Sequence, residues 1–219
     1  MATATRPRPP EPVQLALPEL TTTPTDGLGR GDRRELERYV DADFSGVDLS
    51  RTSFEECAFE RVGLHEADLR GVHLVDCRLQ QVDAAALRMP RSSWRSVAVG
   101  GSRLGALEAY ESTWRSVEVS ETKVGYLNAR GAGWQDVLFR DCVIDELDLG
   151  GARLTRVAFP GCRIGALRLA GTTATDVDLR EARLQVIEDL GGLAGAWVSE
   201  QQLTELAPLL AAHLQIRVG

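Results

Sequence analysis

Four cysteines and three histidines are the side chains of this sequence with the most versatile chemistry. They stand at Cys57, Cys77, Cys142 and Cys162, and at His65, His73 and His213. No CxxC motif occurs, and the histidines show no metal-ligand spacing, so no zinc or redox site of a familiar kind is indicated. The cysteines instead form two pairs, and the members of each pair are twenty residues apart. Two explanations are open. The paired cysteines form disulfides between neighbouring segments, or they are small apolar side chains of the core. A reducing, cytoplasmic compartment, which we expect for this chain, favours the second explanation.

The rest of the chain shows no pattern of a catalytic or cofactor site. There is no glycine-rich phosphate loop, and no serine or cysteine has an evident base nearby in sequence. We therefore expect no enzyme, no catalytic residue, no cofactor and no bound metal.

Three of the four tryptophans share the twenty-residue spacing of the cysteines. The stretches "SSWRSVAV", "STWRSVEV" and "AGWQDVLF" place them at Trp94, Trp114 and Trp134. A shorter period lies beneath: counting in fives from Phe44 meets 29 apolar residues without a slip as far as Leu184. A second row of apolar or small hydroxyl residues stands two positions before each of them. A period of five fits neither a helix nor a strand, but it fits short extended pieces joined by turns, four to a coil of twenty residues.

Several stretches resemble the A(D/N)LXX motif of the pentapeptide-repeat family, namely "GVDLSRTSF", "EADLRGVHL" and "LDLGGARL". The resemblance covers roughly residues 40–189. It implies an all-β solenoid, a right-handed, four-sided parallel β-helix of pentapeptide repeats with helical caps. About seven coils at the strand spacing would make a rod roughly 35 Å long. The register is free of loops, which resembles the mycobacterial type of fluoroquinolone-resistance member more than the plasmid-borne type.

In a coil of twenty residues, the three tryptophans form one stack. Small second-row residues accompany them, at Ser92, Ser112 and Ala132, which favours core filling over an aromatic ladder offered to a partner. Ser92 and Ser112 are candidate acceptors for the indole N–H groups.

Domain boundaries follow from where the period starts and stops. Residues 1–30 hold six of the nine prolines and a "TTTPT" run, which predicts a disordered tail. The alternation of Val13, Leu15 and Leu17 offers packing against the rod as the alternative. Residues 31–40, "GDRRELERYV", are expected to form a short helical N-terminal cap, and residues 41–189 to form the β-helix.

Residues 190–219 are expected to form a C-terminal helical cap. Ser199 and Gln202 have the spacing of a capping box, and Pro208 is expected to kink or divide the helix. A leucine stripe follows, which consists of Leu203, Leu206, Leu209, Leu210 and Leu214. Two alternatives are open for it: a cap over the last coil alone, or a cap that also forms a homodimer.

The charge balance limits the classes of partner. The formal net charge is −7, which disfavours direct binding to nucleic acid or to anionic membranes. No apolar run has the length of a membrane span, and the N-terminus lacks a secretory signal, so we expect a cytoplasmic protein. The charge is uneven: −5 over residues 41–80, +2 over 81–140 and −3 over 141–189.

Two functional hypotheses fit these observations. The first is a non-catalytic scaffold that binds another protein through flat sides carrying charges such as Arg95, Arg115 and Glu121. The alternative, implied by the family resemblance, is a mimic of duplex DNA that binds DNA gyrase, a type II topoisomerase, and inhibits or protects it. Candidate contacts for that role are outward acids of the C-terminal coils, Asp141, Asp145, Asp148, Asp176 and Asp178.

Overall fold

The chain winds into a parallel β-solenoid of about nine turns that ends in an α-helix. It is seen in a computed structural model that describes residues 6–25 and 27–217. This confirms the predicted fold class. The sequence leads to it because two inward side chains in every five residues can be buried only if the chain turns after each short extended piece.

The strands are short and follow one another at each side of the coil. In chain order they are β1 (Thr21–Thr22), β2 (Arg33–Glu35), β3 (Glu37–Val40), β4 (Ser53–Glu55), β5 (Ala58–Glu60), β6 (His73–Gln80), β7 (Asp83–Arg88), β8 (Ser93–Gly100), β9 (Arg103–Glu108), β10 (Thr113–Ser120), β11 (Lys123–Asn128), β12 (Gly133–Arg140), β13 (Val143–Asp148), β14 (Arg153–Ala158), β15 (Arg163–Arg168), β16 (Thr173–Asp178), β17 (Arg183–Glu188) and β18 (Ala196–Trp197). A 3-10 turn (Leu190–Leu193) precedes β18, and helix α1 (Glu200–His213) follows it.

Each residue of the central coils pairs with the residue twenty positions later. Trp94, Trp114 and Trp134 are therefore partners on the neighbouring strands β8, β10 and β12. One sheet contains a ladder of nine strands from β3 to β18, and a six-stranded sheet runs from β7 to β17. The rod extends beyond the seven coils expected, because Arg33–Val40 adds two strands before the first of them and β18 adds one after the last.

The solenoid has four sides, which we number by their inward residues. Side 1 carries Phe44, Leu64, Ala84, Leu104, Val124, Ile144, Ile164 and Leu184; side 2 carries Leu49, Leu69, Met89, Ala109, Ala129, Leu149 and Leu169. Side 3 carries Phe54, Leu74, Trp94, Trp114, Trp134, Leu154 and Ala174; side 4 carries Tyr39, Phe59, Leu79, Val99, Val119, Phe139, Phe159 and Leu179. All are buried except Ala174 and Leu184, which are partly buried near the C-terminal end.

The tryptophan stack fills the core of side 3. The ring centroids of Trp94 and Trp114 are 4.5 Å apart and those of Trp114 and Trp134 are 4.9 Å apart, with nearly parallel planes. All three rings are buried, so they form part of the core and no partner can reach them. The expected hydrogen bonds are wrong: the three indole N–H groups and the hydroxyls of Ser92 and Ser112 have no hydrogen-bond partner among the described residues.

Side chains of neighbouring sides compensate for one another in volume. Ala109 and Ala129 stand on side 2 just before Trp114 and Trp134 on side 3, and all four are buried. Where the stack ends, side 3 carries the smaller Leu154, and the preceding position on side 2 is Leu149 instead of alanine. The exchange limits overfilling, which is destabilising, at Trp114 and Trp134, but Trp94 follows the larger Met89 on side 2.

The N-terminal end differs from the prediction. Residues 31–40 contain β2 and β3 and no helix, with Leu36 in a left-handed conformation (φ 59°) between them. Tyr39 is fully buried and stacks on Phe59, with centroids 5.2 Å apart. This burial stabilises a coil rather than a helix. The end is covered by the loop before β2, where the Gly29 carbonyl accepts a hydrogen bond from Thr52.

The prediction of disorder over residues 1–30 is also wrong for the residues that are described. Residues 6–25, which we call the N-terminal tail, lie extended along the rod. Arg8 pairs with Asp176 near the C-terminal coils, while Thr21 and Thr22 of β1 pair with β3 in the first coil. Residues 1–5 of that predicted segment lie outside the described residues.

The C-terminal cap is present and begins as predicted. The Ser199 hydroxyl accepts a hydrogen bond from the Gln202 amide, and the Gln202 side chain accepts one from the Ser199 amide. The Gln202 side chain also donates to the carbonyls of Leu179 and Ala182, which fixes α1 to the last coil. Pro208 does not divide α1, which is continuous through it.

Replacing Trp114 by alanine should lower the free energy of unfolding by about 3–5 kcal/mol, because it leaves a cavity inside the stack. Urea denaturation followed by circular dichroism measures this change. Arg115→Ala on the same strand is the matched control, since Arg115 is exposed, and it should cost less than about 0.5 kcal/mol. A loss for Trp114→Ala as small as that of the control would show that this ring does not fill the core.

Candidate functional site: the four sides of the rod

The outer surface consists of straight columns of side chains, because outward residues twenty apart lie one coil apart. Many charged residues use this geometry to pair between coils. Arg61 contacts Asp41 at 2.6 Å, and Arg91 contacts Glu111 at 2.7 Å. Other pairs reach across by twenty-two residues, as Arg168 does to Glu146. These pairs hold charged side chains of successive coils together, while the net charge of −7 is unchanged by them.

The Asp136–Arg156 pair is the least exposed of these contacts. The Asp136 side chain is 6% exposed and that of Arg156 is 19% exposed. The Nε and Nη2 atoms of Arg156 each donate a hydrogen bond to one carboxylate oxygen at 2.6 Å. The Arg156 guanidinium holds the pKa of Asp136 below its ordinary value, and the backbone N–H of Glu11 in the tail adds to this effect. Asp136 thus joins two coils to the tail.

The five aspartates predicted to bind a partner do not form one surface. They are distributed over three sides and their corners: Asp141, Asp145, Asp148, Asp176 and Asp178. Asp148 is 6% exposed and accepts hydrogen bonds from Arg130 and the Gly150 amide, so its interpretation as an outward contact is wrong.

Two others are also engaged by arginines. Asp176 accepts from the backbone and the guanidinium of Arg8, which lowers the pKa of the carboxyl, and Asp178 binds Arg180 at 2.7 Å. Asp145 lies 3.9 Å from Lys123 and is more than half exposed. Only Asp141 of the five is exposed without an ion pair among the described residues.

One cluster of acids that make no ion pair within the described part of the chain was missed by the sequence reasoning. It consists of Glu35, Glu55, Glu56 and Asp76 on side 3 and its following corner, in the first coils. Glu35 and Glu55 are direct partners on β2 and β4. The twenty-residue spacing of Glu35 with Glu55, and of Glu56 with Asp76, was the available signal.

Two arginines stand in the same column of side 3, beyond this acidic cluster. Arg95 and Arg115 are direct partners on β8 and β10, and both are exposed. Their outward neighbours along the strands are Ser93, Thr113 and Ser116. No ion pair within residues 6–25 or 27–217 involves either arginine, so two like charges stand side by side at a cost in stability.

The leucine stripe of α1 is divided between two roles. Leu206 is buried against the last coil and Leu210 is partly buried, so these two act in the cap. Leu203, Leu209 and Leu214 are more than half exposed. With Val186 and Ile216, which are also exposed, they form what we call the end patch, beside an open groove between α1 and β17.

The cysteines lie in the core as free thiols. All four are buried, and none is joined in a disulfide. Burial raises the pKa of the Cys57 thiol to about 11 and that of Cys77 to about 12, so both stay protonated and unreactive at neutral pH. Among the described residues, no group of three His, Cys, Asp or Glu side chains could hold a metal ion. In the same part of the chain, no helix is both long and apolar enough to cross a bilayer.

Comparison with known families agrees with this geometry. A family model described as "Pentapeptide repeats" matches residues 40–83 with eight copies. The structure carries the same five-residue register on through the coils as far as Leu184. Over residues 40–83 the chain consists of pentapeptide repeats. Members of this family are generally non-catalytic.

Two solved structures are among those similar to this chain. A trypsin-treated form of QnrB1, a plasmid-mediated fluoroquinolone resistance protein, is 18% identical, with 90% of this chain and 96% of that chain covered and a TM-score of 0.32. HetL, a pentapeptide repeat protein involved in heterocyst differentiation regulation in the cyanobacterium Nostoc sp. strain PCC 7120, is 17% identical, with 78% and 90% covered and a TM-score of 0.24. Because these TM-scores are low, the family assignment rests on the repeats. A search of the curated proteins finds no match.

Substituting Asp136 by asparagine should lower the free energy of unfolding at pH 7 by about 1.5–3 kcal/mol, because Arg156 keeps its charge but loses an ionised partner. Pairing lowers the pKa of Asp136 in the folded state. Its contribution is therefore fully present above the ordinary aspartate pKa of about 3.9 and is lost as the pH falls through the folded-state value.

Urea midpoints of the wild type and the Asp136→Asn variant should accordingly converge as the pH falls below the ordinary aspartate pKa and through the lower folded-state pKa of Asp136. Asp141→Asn is the control, since Asp141 is exposed and makes no ion pair in the described part of the chain. A difference in urea midpoint between the wild type and Asp136→Asn that stays the same from pH 7 to acid pH would contradict a role for the ionised carboxylate.

Proposed function

We propose that this pentapeptide-repeat protein is a non-catalytic scaffold that binds an acidic surface of another protein through side 3. The observation that supports it is the adjacent pair Arg95 and Arg115. Several arginines elsewhere on the rod have an acid one coil away, whereas Arg95 and Arg115 carry exposed like charges in register, an arrangement that recurs on side 1 at Arg163 and Arg183. A destabilising arrangement of this kind is typical of residues kept for recognition.

The flatness of side 3 also suits the binding of another protein. Successive strands hold the two guanidinium groups in one column, at the ordinary strand spacing of about 4.8 Å. Such a rigid row loses little conformational freedom when it binds, and arginine forms paired hydrogen bonds to carboxylates. A flat and regular surface of this kind suits a protein face better than a small molecule, which needs a concave site.

A pull-down from lysate of the source cell tests this function. The wild type should retain a protein that the double variant R95S/R115S loses. Arg153→Ser is the matched control, because Arg153 lies on the same side, is exposed and has no ion pair among the described residues. Equal capture by all three proteins would reject side 3 as the binding surface.

A second candidate function is mimicry of duplex DNA at a type II topoisomerase such as DNA gyrase. The observation that favours it is the acidic cluster of Glu35, Glu55, Glu56 and Asp76, whose carboxylates would stand where phosphates stand. The pairing of Asp148, Asp176 and Asp178 with arginines weakens the C-terminal version of this idea. Inhibition of supercoiling by gyrase of the source organism, lost on reversing the charges of Glu55 and Glu56, would favour mimicry over the scaffold.

A homodimer through α1 is part of the proposal. Leu203, Leu209 and Leu214 expose apolar surface that the cap does not use, and contiguous patches of this kind commonly mark interfaces. Light scattering should give twice the 23.9 kDa chain mass. The variant L203E/L209E should be monomeric, while Thr204→Glu on the same helix should remain dimeric. A wild type that scatters as a monomer at micromolar concentration would reject this interface.

A further inference from the structure

The outward surface of side 4 carries several small and apolar residues between its charged ones. These outward residues are Ala58, Ala98, Leu138, Ala158 and Pro160. The N-terminal tail covers this surface. Its prolines Pro9, Pro10 and Pro12 line a shared cleft with Leu138, Ala158 and Pro160.

The tail contacts the rod as a separate extended peptide would. Arg8 donates to both carboxylate oxygens of Asp176, from its backbone N–H at 3.2 Å and from its side chain at 2.9 Å. The backbone N–H of Glu11 donates to Asp136 at 3.2 Å. Further along, Val13, Leu15 and Leu17 are partly buried in alternation with exposed residues. The tail ends in the backbone ladder of β1 on β3.

These contacts are individually weak. The Arg8 side chain is 71% exposed, and exposed ion pairs contribute little to stability. Pro7 of the tail is buried, but Val13, Leu15 and Leu17 are only partly buried. The tail is held mainly because it is tethered, at an effective concentration that reaches millimolar for short flexible connections. A partner segment with the same features and somewhat better contacts would therefore displace it.

We propose that side 4 is a docking groove for an extended, proline-rich segment of a partner protein that carries an arginine, and that residues 6–22 of this chain occupy the groove in its absence. Proline suits such a ligand because it presets an extended backbone and lowers the entropy lost on binding. The arginine is selected by Asp176, which stands at the C-terminal end of the groove. This inference rests on the proposed binding function and assigns it a second surface with its own ligand.

The test uses the full-length chain and a defined probe. The Arg8→Ala chain has a weakened tail and an intact groove, and Arg6→Ala is the matched control because Arg6 is exposed and makes no contact to an acid among the described residues. The probe is a fluorescein-labelled peptide with the sequence of residues 6–22, and fluorescence anisotropy reports its binding. We expect saturable binding that is about two- to fivefold tighter for Arg8→Ala than for the wild type or Arg6→Ala.

A double-mutant comparison then locates the arginine of the peptide. In the Arg8→Ala chain, the further change Asp176→Asn should weaken binding of the peptide about two- to fivefold. It should leave unchanged the binding of a second peptide in which the residue equivalent to Arg8 is alanine. Absence of saturable binding to every variant, or an affinity independent of Asp176, would overturn the proposal. Such a failure is distinct from failure of the scaffold function, which depends on Arg95 and Arg115 on side 3 and is tested by the pull-down.

Discussion

The structure depends on one packing constraint: two side chains of every five must enter a closed core only a few residues wide. A coil that satisfies it presents the next coil with a matching set of inward positions and a row of free backbone groups, so register is transmitted from coil to coil. The stack of Trp94, Trp114 and Trp134 is the clearest result, with the compensating Ala109 and Ala129 on the adjacent side. The same constraint makes the exterior regular, so function has to reside in the columns of side chains on the sides and at the two ends.

Those columns contain two kinds of charge. Pairs such as Asp136–Arg156 tie successive coils together, and Asp136 also holds the tail. Residues such as Arg95 and Arg115 make no ion pair with any of the described residues and stand in register with a like charge. The first kind stabilises the rod, and the second kind leaves charge available to a partner. Sequence-wide charge does not separate the two, which explains why a net charge of −7 is a poor guide to the surface that a partner meets.

The five-residue period made the fold and the core predictable, since burial of its rows follows from spacing alone. The period also predicts a buried Tyr39, because Tyr39 stands five residues before Phe44 and belongs to the same row. The helix-favouring charges of residues 31–40 obscured that signal, although Tyr39 is fully buried in a coil. The burial of Asp148 and the tail anchor at Asp176 were beyond sequence reasoning. Arg8 and Asp176 are 168 positions apart, and no period relates the tail to the repeats.

The most direct test of the packing account compares two deletions by urea denaturation. Removing residues 113–132 takes out one whole coil and joins Ser112 to Gly133, so every later residue keeps its column. Removing Arg115 alone takes out one exposed residue but shifts every later inward side chain to an outward position. The account predicts a cooperative, β-rich transition after the twenty-residue deletion and its loss after the single-residue deletion. Cooperative unfolding of both proteins, with the single deletion the more stable, would contradict it.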